Sequence, residues 1–201
     1  MLHTFVALVE DKPGVLTRVA SLFRRLKINI ISLTVGHSER ADVSRMTIVA
    51  EASPGAGHRI KASLFKLENV IDVDDVGQLS CVTREMALIK VATTPGSRSE
   101  IFQLAEIYRA RVVDLAPESL MLEITGASSK VEGLLQVLAE SEHEILEVSR
   151  TGRMVMRRGH HTSRVLDAMR ITSPEEEPIV PLTQSDGHEA EPVSEDPNHP
   201  F

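Results

Sequence analysis

An internal repeat is the feature of this sequence that most restricts its fold. Residues 9–14 and residues 91–96 both run from a valine to a Pro-Gly turn, at an offset of 82 residues. The same offset aligns further apolar pairs: Val19 with Ile101, Leu22 with Leu104, Ile30 with Val112, Ile31 with Val113 and Leu33 with Leu115. Because this period exceeds that of solenoid repeats, each copy is predicted to be a small domain.

Both copies predict the same order of elements. In the first copy, apolar spacing predicts strands over residues 5–9, 28–35, 43–50 and 70–76, with helices over 15–26 and 60–67. In the second copy, strands are predicted over 86–93, 111–116, 120–125 and 144–151, with helices over 97–109 and 129–139. The order β-α-β-β-α-β predicts an α+β chain of two tandem ferredoxin-like domains, over residues 1–79 and 80–160.

The charge of the chain is concentrated near its C-terminus. The formal net charge is -7, yet residues 171–201 hold eight acidic residues, no lysine or arginine, and six of the ten prolines. This composition predicts a disordered acidic tail, preceded by a basic segment that begins near residue 161. Six arginines lie between residues 150 and 170: Arg150, Arg153, Arg157, Arg158, Arg164 and Arg170. They could dock an acidic partner or the acidic tail, or lie on a solvated C-terminal helix.

Several classes of function are disfavoured by what the sequence lacks. Aromatic residues make up 3% of the chain and the predicted central strands carry none, which argues against base stacking and a nucleic-acid partner. A single cysteine, no apolar stretch of membrane-spanning length and no signal-peptide pattern predict a cytoplasmic protein without a membrane partner. No phosphate-binding loop, metal motif or nucleophile motif is present, so no catalytic residue and no metal site are predicted.

The strongest candidate site is the first strand-to-helix turn. Gly14 leaves backbone N–H groups free at the positive end of a helix, where a carboxylate binds well. Asn29 begins the second predicted strand and offers an amide with both donors and an acceptor. Leu16 and Ile30 could line an apolar pocket. An anion site, an amide and an apolar pocket together suit a small amino acid, although an ordinary Pro-Gly helix start explains the spacing equally well.

Two longer segments carry a resemblance to a known family. Residues 10–19, EDKPGVLTRV, resemble the opening of an ACT domain, a ferredoxin-like module that binds amino acids. Residues 29–35, NIISLTV, with residues 44–49, SRMTIV, closely resemble the regulatory (small) subunit of acetolactate synthase, and the similarity extends over about residues 3–160. The resemblance implies a non-catalytic chain that activates a large subunit and confers feedback inhibition by valine. Thiamine diphosphate, Mg²⁺ and FAD then belong to the large subunit, and this chain binds no cofactor.

The resemblance also implies where valine binds. In the family the effector lies between the ACT domains of two chains, so a homodimer is expected. It touches Asp11, Gly14, Val15 and Leu16 of one chain and Asn29 and Ile30 of the other, in this chain's numbering.

Two further features of the sequence bear on the predicted effector site. Arg111 takes the place of Asn29 in the second copy, so only the first copy is expected to bind valine. Lys27-Ile28 replaces the glycine and aromatic residue that commonly precede Asn-Ile, which bears on effector choice. The alternative is a free-standing ACT-type sensor that regulates a different enzyme.

Overall fold

The chain, seen in a computed structural model, is described over residues 1–159; the predicted basic segment and acidic tail lie outside the described residues. The first copy contributes β1 (Leu2–Glu10), α1 (Val15–Leu26), β2 (Ile30–His37), β3 (Val43–Glu51), α2 (Ala56–Phe65) and β4 (Val70–Asp75). The second contributes β5 (Cys81–Ala92), α3 (Arg98–Ile107), β6 (Arg111–Leu115), β7 (Ser119–Gly126), α4 (Ser128–Glu140), β8 (Ile145–Arg150) and β9 (Met154–Arg157). The division predicted after Leu79 lies in the connection between β4 and β5.

The first domain is a four-stranded antiparallel sheet in the order β2-β3-β1-β4. Alternation along β1 directs Phe5, Ala7 and Val9 to the face that α1 and α2 cover. The register pairs Phe5 with Ile48 and Ala7 with Met46, so β3 presents apolar residues to the same face. This fixes one buried core between the sheet and the two helices, and no helix within residues 1–159 covers the other face of the sheet.

Helix α1 packs through one apolar stripe. Val15, Val19, Leu22 and Phe23 are buried, and their spacing of three or four residues places them on one side of the helix. The helix ends at Lys27, whose φ of 55° lies in the left-handed region and whose N–H bonds to the carbonyls of the last turn. The predicted helix over residues 15–26 is confirmed.

The second domain repeats the architecture. Its sheet has the order β6-β7-β5-β8, which matches β2-β3-β1-β4 strand for strand. The core is built from the same positions: Ala87, Ile89, Val91, Ile101, Ala105, Leu120, Leu122, Ile124, Val131, Leu134 and Leu138 are all buried. Two tandem ferredoxin-like domains are therefore confirmed as the fold.

A ninth strand departs from the sequence prediction. Residues Met154–Arg157 form β9, which pairs antiparallel with the first four residues of β5. Strand β5 thus begins at Cys81, well before the predicted start at residue 86. A solvated helix in the arginine-rich segment is wrong at these residues, because β9 pairs with the start of β5 and carries a buried residue, Val155.

The paired strands β5 and β9 cover part of the first sheet on the face opposite α1 and α2. Val155 packs with Val6 and Val76 of the first domain in a small buried cluster. Arg45 of β3 donates a hydrogen bond from Nη2 to the Val155 carbonyl at 2.8 Å, and burial there lowers the pKa of Arg45. Arg157 of β9 lies 3.2 Å from a carboxylate oxygen of Asp74. Strand β9 therefore joins the two domains through both apolar and charged contacts.

Candidate functional site

The turn after β1 is held by backbone and side-chain hydrogen bonds. The Asp11 N–H donates to the Asp42 carbonyl at 2.9 Å. Ser44 Oγ donates to Asp11 Oδ1 at 3.2 Å, and His37 Nδ1 lies 3.5 Å from Asp11 Oδ2. The Asp11 carboxylate is therefore placed at one end of the sheet, beside the last residue of β2, where it can accept a hydrogen bond from an ammonium group.

Glu10, the last residue of β1, supports this turn. Asn69 Nδ2 donates to Glu10 Oε2 at 2.6 Å, and Lys12 Nζ lies 3.0 Å from the same oxygen. These two hydrogen bonds, that from Asn69 being the larger effect, lower the pKa of Glu10. The charge of Lys12 is thereby engaged with Glu10 at the edge of the turn.

Gly14 opens α1 in a conformation that other residues adopt only with strain. Its φ is 85° and its ψ is -9°, in the left-handed region. No side-chain hydrogen bond caps the helix and its first turn holds no acidic residue, so no side chain of the helix satisfies its first N–H groups. A Cβ built on Gly14 meets nothing within 4 Å, so there is open space beside the start of the helix. Both features are compatible with a bound carboxylate.

Val15 and Leu16 take different positions at the start of α1. Val15 is buried in the core and supports the turn from behind. Leu16 is 45% exposed beside the open space at Gly14 and offers an apolar surface to a ligand side chain. Asp11, Gly14, Val15 and Leu16 thus lie together, on one turn.

Asn29 and Ile30 lie at the opposite end of the same sheet. Strands β1 and β2 both pair antiparallel with β3, so they run parallel to each other, and the end of β1 lies at the end of β2 and far from its start. Strand β2 has eight residues, which at about 3.3 Å per residue separates its two ends by roughly 25 Å. One chain does not bring all six predicted residues together.

Strand β2 is an edge strand with apolar residues exposed along it. It pairs only with β3 within the described chain, and Ile31 and Val35 are 52% and 45% exposed. The ladder with β3 is interrupted between Ile30 and Ser32, where Ile31 is the extra residue of a bulge. An unpaired, partly apolar edge of this kind can pair with another strand.

The corresponding turn of the second domain is closed. Thr94 and Ser97 exchange hydrogen bonds, with the Thr94 N–H donating to Ser97 Oγ at 2.9 Å and the Ser97 N–H to Thr94 Oγ1 at 3.3 Å. Helix α3 carries Glu100 in its first turn, and Arg111 at the position of Asn29 pairs with Glu123 at 3.0 Å. The donors and the charge pattern of the first turn are therefore not reproduced in the second domain.

An ion pair between Arg150 and the buried Glu85 joins the end of β8 to β5. Glu85 is 3% exposed and accepts hydrogen bonds from Arg150 and from Ser128 Oγ. Arg150 also donates to Glu132 at 3.0 Å. Burial alone would lower the pKa of Arg150, but the hydrogen bonds to Glu132 and Glu85 outweigh it and raise that pKa. The sequence analysis identified Arg150 only as part of an arginine-rich segment, because its partners are 18 and 65 residues away in sequence.

Two classes of site are not found in the described residues. Across residues 1–159, histidine, cysteine and acidic side chains form no group of three or more that could hold a metal ion. Within the same residues, no helix has both the length and the apolar character required to cross a membrane.

The fold defines a class of protein: a pair of ferredoxin-like domains, the first of which has an uncapped helix start at Gly14. Comparisons with known proteins agree. Residues 5–72 match the AHAS small subunit-like ACT domain, and residues 84–159 match the family described as the small subunit of acetolactate synthase. The chain belongs to the family of acetolactate synthase small subunits.

This chain aligns with similar proteins over nearly their whole length. A probable acetolactate synthase small subunit of Archaeoglobus fulgidus is 45% identical over 160 residues, covering 80% of this chain and 99% of the relative. The acetolactate synthase small subunit of Mycobacterium bovis is 46% identical over 157 residues, covering 78% and 92%. The crystal structure of the small subunit from Thermotoga maritima superposes with a TM-score of 0.73 at 39% identity, covering 80% and 99%. The family resemblance seen in the sequence is thus confirmed over both domains.

Proposed function

We propose that this chain activates the catalytic large subunit of acetolactate synthase and makes it sensitive to feedback inhibition by valine. The observation that carries the proposal is the similarity to small subunits over 99% of a relative's length, together with an open Gly14 turn in the first domain. On this proposal thiamine diphosphate, Mg²⁺ and FAD belong to the large subunit. The chain acts in the cytoplasm and needs no nucleic acid or membrane.

The effector site is proposed to form between two copies of the chain. Antiparallel pairing of β2 with β2 of a second copy would bring the Ile30 end of one strand to the His37 end of the other. His37 lies 3.5 Å from the Asp11 carboxylate, so this pairing would place Asn29 and Ile30 of one copy beside the Asp11–Leu16 turn of the other. The unpaired edge of β2 and the roughly 25 Å separation within one chain both support a two-chain site.

Each part of valine has a partner in this arrangement. The N–H groups after Gly14 would bind the carboxylate at the positive end of α1. The Asp11 carboxylate and the Asn29 amide would accept hydrogen bonds from the ammonium group. Leu16 and Ile30 would contact the isopropyl group, and their limited number suits a short branched side chain.

The proposal is tested by adding the purified chain to purified large subunit and measuring acetolactate formation, with titrations of valine, leucine and isoleucine. The expected result is a rise in activity that valine reverses. Unchanged activity on adding the chain would refute the proposed partner and favour a free-standing amino-acid sensor. A rise in activity that no branched-chain amino acid reverses would refute the proposed effector and leave the activation intact.

A further inference from the structure

A short segment of the second domain lies directly on the strand that begins at the effector site. Residues 151–153, here called the junction segment, connect β8 to β9 and cross the face of β2. Thr34 Oγ1 donates to the Thr151 carbonyl at 3.3 Å, and the Arg153 N–H donates to Ser32 Oγ at 3.3 Å. These residues are more than 115 positions apart in sequence, so the contact belongs to the packing of the two domains.

Gly152 is the point of closest approach in the junction segment. Its φ is +82°, and a Cβ at this position would lie 2.7 Å from both Ser32 Oγ and Thr34 Oγ1. Contacts shorter than about 3 Å do not occur for real Cβ atoms, so any larger residue must displace the Ser32 and Thr34 hydroxyls, and with them the two hydrogen bonds to the segment, or else shift β2 or the segment itself. The absence of a side chain is therefore what lets the second domain rest against β2.

The side chain of Arg153 donates hydrogen bonds to both domains. Its Nη1 donates to Thr4 Oγ1 of β1 at 3.2 Å, and its Nη2 donates to Ser128 Oγ at the start of α4 at 3.3 Å. A cleft of about 380 Å³ adjoins these contacts and is lined by Ile31, Ser32 and Glu85 among others. At this junction the domains touch through a few polar contacts beside open space, in addition to the contacts that β9 makes with the first sheet.

The contact lies where it affects the shape of the effector site. Ser32 is the first residue of β2 to rejoin the ladder after the bulge at Ile31, and Ile30 is the last residue to pair before it. A bulge sets the direction in which the preceding residues leave the strand. Holding Ser32 therefore helps to fix the direction of Ile30 and Asn29, two and three residues earlier in the chain.

We propose that Gly152 is a positioning residue of the effector site, through which the second domain sets the affinity of the first domain for valine. The proposal rests on the proposed function, because valine is the effector assigned there. By thermodynamic linkage the influence runs both ways: if the position of the second domain changes valine affinity, valine must change the position of the second domain. The junction segment thereby becomes a route from the effector to a domain that has no effector site of its own.

The test compares Gly152→Ala with Gly159→Ala in the full-length chain. Both glycines have a positive φ, +82° and +74°, but a Cβ at Gly159 meets nothing within 4 Å. Valine binding is measured by calorimetry, and hydrogen exchange is measured at the amides of β2. Gly152→Ala is expected to weaken valine binding about tenfold and to speed exchange at residues 30–34, whereas Gly159→Ala changes affinity less than about twofold.

A second pair of variants separates positioning from loss of folding. Ser32→Ala with Thr34→Ala removes both oxygens without adding bulk, and it is expected to weaken valine binding at least about threefold. In that background Gly152→Ala should have little further effect, because the atoms that its Cβ would strike are gone. The proposal would be overturned if Gly152→Ala and the Ser32→Ala, Thr34→Ala double variant both showed the same valine affinity and the same β2 exchange as Gly159→Ala. A wild-type chain that binds no valine would instead refute the proposed effector, and β2 exchange alone would then decide whether Gly152 positions the strand.

Discussion

Gly14→Asp places a carboxylate where the effector's carboxylate is proposed to bind, and the structure keeps other consequences small. A Cβ at Gly14 meets nothing within 4 Å, so no atom is displaced. The left-handed backbone costs a non-glycine residue about 1–2 kcal/mol, and aspartate is among the residues that tolerate it best. Because folded domains are stable by about 5–15 kcal/mol, the variant is expected to fold.

The effect on valine binding is expected to be much larger than the effect on folding. Two carboxylates about 4 Å apart repel each other by about 4 kcal/mol at an effective dielectric constant of 20. The aspartate would also occupy the N–H groups of the first turn, which it can cap. A loss of about 4 kcal/mol weakens binding roughly 1,000-fold, so valine inhibition should disappear at concentrations that saturate the wild type.

Gly55→Asp is the matched control, because Gly55 opens α2 with φ 83° and ψ -9° and has nothing within 4 Å of a Cβ. It carries the same backbone cost at the start of the other helix of the first domain, at the opposite end of the sheet from the Asp11–Leu16 turn. The assay is acetolactate formation by large subunit plus each variant, titrated with valine. Gly14→Asp should still activate the large subunit but should not respond to valine. Gly55→Asp should activate it and should remain sensitive to valine. Gly14→Asn should lose less valine sensitivity than Gly14→Asp. Valine sensitivity retained in Gly14→Asp, or lost equally in Gly55→Asp, would refute the site assignment.

Three further outcomes are expected. Arg150→Gln leaves the buried Glu85 carboxylate without its ion-pair partner and should lower the free energy of unfolding by about 3 kcal/mol in denaturant titrations, whereas Lys90→Gln, which removes an exposed pair, should cost less than about 0.5 kcal/mol. Phe23→Ala empties part of the first core and should cost about 3–5 kcal/mol by the same measurement. Truncation after Arg170 removes the acidic tail and should spare both activation and valine inhibition in the activity assay; loss of either would show that the tail takes part.

The repeat and the alternation of apolar residues were sufficient to predict the fold. Residues 5, 7 and 9 share a face because side chains alternate along a strand, and they align with the apolar residues of β3 in the observed register. Once four strands and two helices follow in this order, right-handed crossovers leave few topologies. The turn at Gly14 was predicted only in part: Pro-Gly at a strand-to-helix junction indicated the start of a helix, but placing Pro13 in the first helical turn with Asp11 or Lys12 at the cap is wrong, because the helix begins at Val15 after a left-handed Gly14.

Features that depend on packing between the domains were not predictable. Strand β9 has four residues, two of them exposed methionines, and it is a strand because of its pairing with β5 and the packing of Val155 against the first sheet. The contact of Gly152 with Ser32 joins residues 120 positions apart. The sequence also does not show that the two halves of the predicted site lie at opposite ends of one sheet, because that follows from the parallel direction of β1 and β2.

The two copies of the fold differ at the same turn, and the difference supports the proposal that the effector site lies in the first domain only. In the first domain the backbone donors at Gly14 have no side-chain cap and face open space. In the second domain Ser97 and Thr94 satisfy each other, and Arg98 reaches across to the Ala116 carbonyl at 2.8 Å, which pins the turn to the loop after β6. A turn whose N–H groups already donate hydrogen bonds within the chain must break them to bind an anion, whereas a turn with free N–H groups loses few hydrogen bonds on binding. The second domain does contact β2 through residues 151–153, so on the proposals above it would influence effector binding through its position and not through direct contact with the effector.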